Sequence, residues 1–234
     1  MRQGCGLYND TVPYLIHRVT QPPPLDGDFS AGSWADANTL DVANFHERSG
    51  EHHPRVQARV LYGNDGLYVG FHVNDQYVRC VTTEFQGPVC QDSCVEFFVE
   101  PAGTPTGYFN FEINCGGTML LHFVRSPEPT DGVYADYDEV SAEAVSDVRI
   151  VSTMPQRVDP EIAEPTDWTL QYFVPFTLFE RYKTGVGRGP GVQWRANFYK
   201  CADRTSHPHW ASWSPVTGEL SFHKPDCFDV IEFA

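Results

Sequence analysis

Glu96, Asn110, Glu112, Asn114, Arg195, Asn197 and Tyr199 sit at alternate positions of three short segments, with apolar residues between them. Successive side chains on a β-strand point to opposite faces, so this spacing puts each polar set on one face and each apolar set on the other. If the three segments share a sheet, their polar sides join into one dense display of donors and acceptors. Such a surface suits hydroxyl-rich ligands, because each hydroxyl both donates and accepts. Flat C–H faces of a sugar also stack on rings, and Trp210, Trp213 and Phe222 supply rings late in the chain. The competing reading is plain: outward polar residues are the default of any half-exposed sheet.

Two further chemistries deserve a place. Glu96 and Glu112 are a pair of carboxyls that, set across a cleft, can serve as acid and nucleophile or acid and base in glycoside hydrolysis. His207 and His209 form an H-x-H, with His223, Asp226 and Cys227 following. On a strand such residues share a face and can hold a metal; surface histidines without metal are the preferred reading. The seven cysteines are odd in number, irregular in spacing and contain no C-x-x-C, which gives no support to a zinc ribbon or a thioredoxin-like motif. They read as free thiols of a reducing compartment. Met1 to Gly6 lacks the apolar stretch of a signal peptide, although a trimmed secreted chain would look the same.

The elements that must position these residues are strands. Arg55 to Tyr62 and Leu67 to Val73 alternate around Gly63-Asn64-Asp65-Gly66, which is a hairpin by composition. Cys94 to Glu100, Tyr108 to Cys115, Met119 to Val124, Val145 to Val151, Trp168 to Val174, Gln193 to Cys201 and Phe228 to Phe233 continue the pattern. Phe176 to Tyr182 reads as one short helical turn, and Ser126 to Asp138 as loop. The alternation, with 19 glycines and 18 prolines as punctuation, predicts an all-β antiparallel sandwich with little helix. Residues 1–24, ending in Pro22-Pro23-Pro24, read as a lead-in to a single domain over 25–234. The net charge of −15, with no basic run, argues against nucleic acid and membrane partners and leaves neutral or cationic ligands.

An ordered series of segments resembles the family 9 carbohydrate-binding modules, which are related to the DOMON superfamily. It runs Leu25-Asp26-Gly27 with Trp34, Gly66-Leu67-Tyr68-Val69, Asp92-Ser93-Cys94-Val95-Glu96-Phe97-Phe98, Tyr108 to Asn114, Trp194 to Tyr199, Trp213-Ser214 and Phe222-His223-Lys224-Pro225. The resemblance implies a β-sandwich that binds carbohydrate without catalysing, with possible structural calcium and possible association with xylanases or related glycoside hydrolases. It places the acidic sugar-gripping position on Glu96 and one stacking ring on Phe222. The other stacking position falls near Cys90, where there is no ring, and a basic slot residue is replaced by Glu112. Either the ligand differs, or Trp210 or Trp213 substitutes, or sugar binding is lost. The candidate contact set is Glu96, Glu112, Asn114, Arg195, Asn197, Tyr199, Trp213, Phe222 and His223. The DOMON relationship also opens a haem or redox reading, with axial ligands from Met119, His122 or His72.

Overall fold

The computed structural model describes residues 12–130 and 133–234. Its principal strands are β1 (Tyr14–Arg18), β2 (Arg55–Tyr62), β3 (Gly66–Asp75), β4 (Cys94–Glu100), β5 (Tyr108–Asn114), β6 (His122–Thr130) and β7 (Val133–Glu139). They continue with β8 (Arg149–Ser152), β9 (Thr166–Pro175), β10 (Gln193–Cys201), β11 (Trp210–Ser212) and β12 (Asp229–Phe233). One helix, α1 (Phe176–Tyr182), follows β9 where the helical turn was expected. No helix among the described residues is long and apolar enough to cross a membrane.

Hydrogen bonding runs in the order β7-β6-β5-β4-β10-β12-β1-β2-β3-β9-β8. The sheet curls at β1, so its two halves face each other as a sandwich. Phe71 of β3 meets Phe198 of β10 at 6.1 Å between ring centroids, and Phe111 of β5 meets Tyr172 of β9 at 6.2 Å. These contacts fill the space between the layers with the apolar half of each alternating strand. Neighbours along this order pair antiparallel, except that β1 runs parallel to both β12 and β2.

That position corrects the domain boundary read from the sequence. Tyr14 to Ile16 pair with Ile231 to Phe233, and His17 with Arg18 pair with Leu61 and Tyr62. Tyr14 and Ile16 enter the core, so Tyr14–Arg18, ahead of the three prolines, belongs to the domain. It is too short to show its alternation in isolation, and its partners lie far away in sequence. Residues 24–37 then cover the outer face of the second layer: Trp34 donates its indole N–H to Pro24 O at 2.8 Å, and Phe29 lies against β3. Only glycine fits at position 70 beneath that ring, since an added Cβ would come within 2.5 Å of it.

Within the Ser126 to Asp138 stretch, expected as loop, residues 126–130 and 133–138 belong instead to the paired strands β6 and β7. Their ladder tolerates Pro127 and Pro129 through register shifts between Val124 and Ser126 and between Ser126 and Pro129. The expected strand over Val145 to Val151 is confined to β8, and Val145 lies in a turn.

The cysteines among the described residues are of two kinds. Cys80, Cys90, Cys94, Cys115 and Cys201 carry free thiols. Cys227 is disulfide-bonded, so the expectation of uniformly free thiols does not hold. One buried ion pair also crosses the sandwich. Lys200 of β10 lies 3.3 Å from Asp75 of β3, with both side chains fully buried.

Candidate functional site

Strands β5, β4 and β10 are direct neighbours, so the three polar faces do combine. Glu96 stands opposite Glu112 on one side and Tyr199 on the other. Cys94 stands opposite Asn114 and Cys201 in the adjacent row. Over these two rows lies a cavity of about 520 Å³. Its floor is Glu96, Glu112 and Cys201; its sides are drawn from Pro88 and Cys90, from His122, and from Asp203, Trp210, Phe222 and His223. Arg48 stands at the rim, 5.9 Å above the Trp210 ring, as the one permanently charged cation of the lining.

Loops from distant parts of the chain close the sides, and several residues expected at the ligand are what hold those loops. Asn114 donates to Asp92 Oδ2 (3.0 Å) and to Thr82 O (2.9 Å), and its own oxygen accepts from Thr118 N. It fixes the 82–92 loop that presents Pro88 and Cys90. Asn197 accepts from Ser214 N and donates to Ser214 O and Cys227 O. Arg195 donates to Pro225 O at 2.7 Å and to Phe228 O at 3.2 Å. The two together anchor the 214–228 segment that carries Phe222 and His223. Tyr199 is fully buried and stacks under Phe222 at 4.1 Å, with its hydroxyl donating to Phe222 O.

Four of the nine expected contact residues therefore meet at the cavity: Glu96, Glu112, Phe222 and His223. Asn114, Asn197 and Arg195 face away from it into their loops, and Tyr199 braces it from beneath. Trp213 is turned toward the core, edge-on to Tyr14 at 6.1 Å and Phe198 at 5.7 Å. The ring at the cavity is Trp210, whose indole N–H donates to Asp203 Oδ1 at 2.7 Å. Asp203 and His122 were not expected in the lining from sequence. Asp203 lies beyond the last alternating strand, where no periodicity marks a side chain's direction.

The electrostatics of the floor are unusual. Burial, with the neighbouring Glu112 adding to it, holds the Glu96 carboxyl well above the ordinary range. Burial likewise pushes Glu112 up to about 7, against the hydrogen bond that Asn110 donates to its Oε1 at 2.9 Å. Asp203 is raised by burial too. The Cys201 thiol lies 3.0 Å from Glu96 Oε1 and is itself pushed up by burial. Burial depresses His223 to about 3 and lowers His122, so both imidazoles stay neutral near pH 7. The Tyr108 hydroxyl is 2.8 Å from His223 Nδ1 and sets that ring's orientation. At neutral pH the cavity thus holds proton-sharing acids and neutral donors between two rings, rather than a bare cluster of anions.

The histidines of the H-x-H do not converge on a metal. His207 stacks on Tyr77 at 3.5 Å, while His209 turns inward to Lys200 at 2.8 Å. Among the described residues the one convergence of three His, Cys, Asp or Glu side chains is Cys94, Glu96 and Cys201. Two thiols do not suit calcium, which takes oxygen ligands, so this group is not the calcium site implied by the resemblance. The haem ligands do not converge either. Met119 is in the core, His72 sits on the outer face of β3 among Gln57 and Thr169, and only His122 reaches the cavity.

Fold and cavity together define a β-sandwich with a ligand-sized cleft on one sheet face. The model of Carbohydrate-binding family 9 matches residues 32–233, and the chain belongs to that family. Among solved structures, a Bacteroides uniformis protein named as carbohydrate-binding is 27% identical, with a TM-score of 0.77 over 94% of this chain and 98% of its own. A family 9 module of Caldicellulosiruptor kristjanssonii in complex with glucose shares the fold at 11% identity, with a TM-score of 0.60 over 94% of this chain and 95% of its own. The same kind of module in complex with cellotriose superposes with a TM-score of 0.59 at 11% identity, over 94% and 93% of the two chains. No curated protein matches the chain.

Proposed function

We propose that the cavity binds a saccharide unit non-catalytically, with Trp210 and Phe222 as the stacking rings and Glu96, Glu112 and His223 as the hydroxyl partners. The observation that carries the reading is the placement of two rings and two hydrogen-bonding acids around one cavity in a family 9 chain. Its volume falls within the range of small-molecule sites, and a few polar groups amid apolar walls is how such sites fix orientation. Trp210 takes the part of the ring missing at Cys90. That relatives of the same fold hold glucose and cellotriose supports a neutral sugar.

The hydrolase reading is weaker on geometry. Glu96 and Glu112 stand side by side on paired strands of one wall, whereas hydrolysis needs carboxyls that flank the scissile bond. Association with glycoside hydrolases, implied by the family resemblance, belongs to the same proposal; co-purification with such an enzyme from the native cell would support it.

Calorimetric titration with glucose, cello-oligosaccharides and xylo-oligosaccharides tests the reading. Trp210→Ala is expected to weaken binding at least tenfold, about 1.4 kcal/mol or more, with the circular dichroism spectrum unchanged. Wild-type affinity retained by that variant would remove Trp210 from the site.

A further inference from the structure

The geometry points to a binding site for a thiophilic divalent transition metal, typified by Zn2+, formed by Cys94, Cys201 and Glu96 in the cavity floor. Cys94 and Cys201 stand directly opposite each other on the paired strands β4 and β10, and Glu96 follows two residues on, on the same face. The three ligand atoms all lie within 4.8 Å of one another, and the Cys201 sulfur is 3.0 Å from a Glu96 oxygen. A tetrahedral Zn2+ with ordinary Zn–S and Zn–O bonds asks for ligand separations of about 3.5–3.8 Å, so only small side-chain rotations are needed. Neighbouring strands of a packed sheet hold the three positions rigidly, since the residues are 0%, 1% and 2% exposed for Cys94, Cys201 and Glu96.

The surroundings fit a metal better than a plain thiol pair. A buried carboxyl against two thiols has no use in a cross-strand disulfide, whereas a metal uses all three groups. Lys200, though next in sequence to Cys201, does not fill the cation's place. Its side chain leaves through the other face of the sheet, to Asp75 and His209. Glu96 and Cys201 border the cavity while Cys94 lies behind them, so the ion would be reached from the cavity and keep a coordination position there for water or a ligand oxygen. Thiolate ligands select zinc or another soft ion over calcium and magnesium.

The test uses the full chain, reduced, chelator-stripped and kept anaerobic, titrated with Co2+. The expected result is a 1:1 near-ultraviolet thiolate-to-cobalt charge-transfer band with the visible bands of tetrahedral Co2+, bleached by Zn2+. Cys94→Ser and Cys201→Ser should each abolish it, and Glu96→Gln should weaken Co2+ binding at least tenfold. X-ray absorption on the Zn2+-loaded wild-type protein needs no variant and should show two sulfur neighbours. Absence of the band, its survival in both cysteine variants, or a sulfur-free zinc shell would overturn the site. The inference does not rest on sugar binding. Saccharide titrations with and without EDTA keep the two apart, because loss of the metal site alone leaves sugar binding to be judged by itself.

Discussion

Replacing Lys200 with methionine is expected to cost about 3–5 kcal/mol of folding stability, the usual consequence of removing one partner from a buried ion pair. The Lys200 ammonium donates to Cys201 O at 3.0 Å, lies 2.8 Å from His209 Nε2 and faces Asp75 Oδ2 at 3.3 Å. Without it, the Asp75 carboxylate keeps only the His52 ring at 2.8 Å and the Gln76 N–H at 2.8 Å, still buried between the layers. Burial opposes the charge on Asp75, but Lys200 and His52 outweigh it and hold the carboxyl well below its usual range. This stability is therefore complete above the unfolded carboxylate pKa of about 3.9 and is lost only as pH falls through the lower folded value. His209 contributes with the opposite sense. Burial and Lys200 depress it to about 3, so the folded protein keeps it neutral while the unfolded chain binds a proton below about pH 6.5. Its neutrality thus costs stability progressively from there down to about pH 3. Urea denaturation of Lys200→Met at pH 7 measures the pair. A loss below about 1 kcal/mol would mean that the two charges are not coupled as the geometry shows. The double variant Asp75→Asn with Lys200→Met should recover part of the loss, because it leaves no buried charge.

The second large effect has the opposite sign. Glu112→Gln is expected to stabilise the folded protein at pH 8 by about 3 kcal/mol, the linkage equivalent of a carboxyl raised from its model value of 4.5 to about 7. The folded protein holds the Glu112 proton up to about pH 7, whereas the unfolded chain releases it near 4.5. Between those values stability falls as pH rises, and above them the whole loss persists. Glutamine cannot ionise and still accepts from Asn110 through its side-chain oxygen, so the variant escapes the loss. At pH 4 it should match the wild type. Glu96→Gln should behave likewise, since burial and Glu112 raise that carboxyl too. Thermal melts at pH 4 and pH 8 read the difference, and equal shifts at the two values would contradict the buried, proton-sharing floor. A gain in stability accompanied by loss of ligand is the trade expected where a cavity keeps acids buried for recognition.

Much of this was legible in the alternation of three strands. The faces of Glu96, Glu112, Asn114, Arg195, Asn197 and Tyr199 follow from the two-residue period, and all six lie on the expected side of the sheet. The period cannot say what covers that side. Arg195 and Asn197 are spent on the 214–228 segment and Asn114 on the 82–92 loop, because those loops fold back over the sheet through contacts that no local pattern encodes. The choice between Trp210 and Trp213 was open for a related reason. They are three residues apart on and just beyond a three-residue strand, so which ring turns to the cavity depends on how β11 pairs with β10. Tyr14 to Arg18 was missed because a five-residue strand paired in parallel on both sides has no hairpin partner to announce it.

A crystal of the protein soaked with cellotriose and a xylo-oligosaccharide examines the central claim most directly. The expected difference density is a sugar ring lying against Trp210 and Phe222, with hydroxyls within hydrogen-bonding distance of Glu96, Glu112 or His223. Density for the sugar on another surface, with this cavity holding only solvent at saturating ligand, would contradict it.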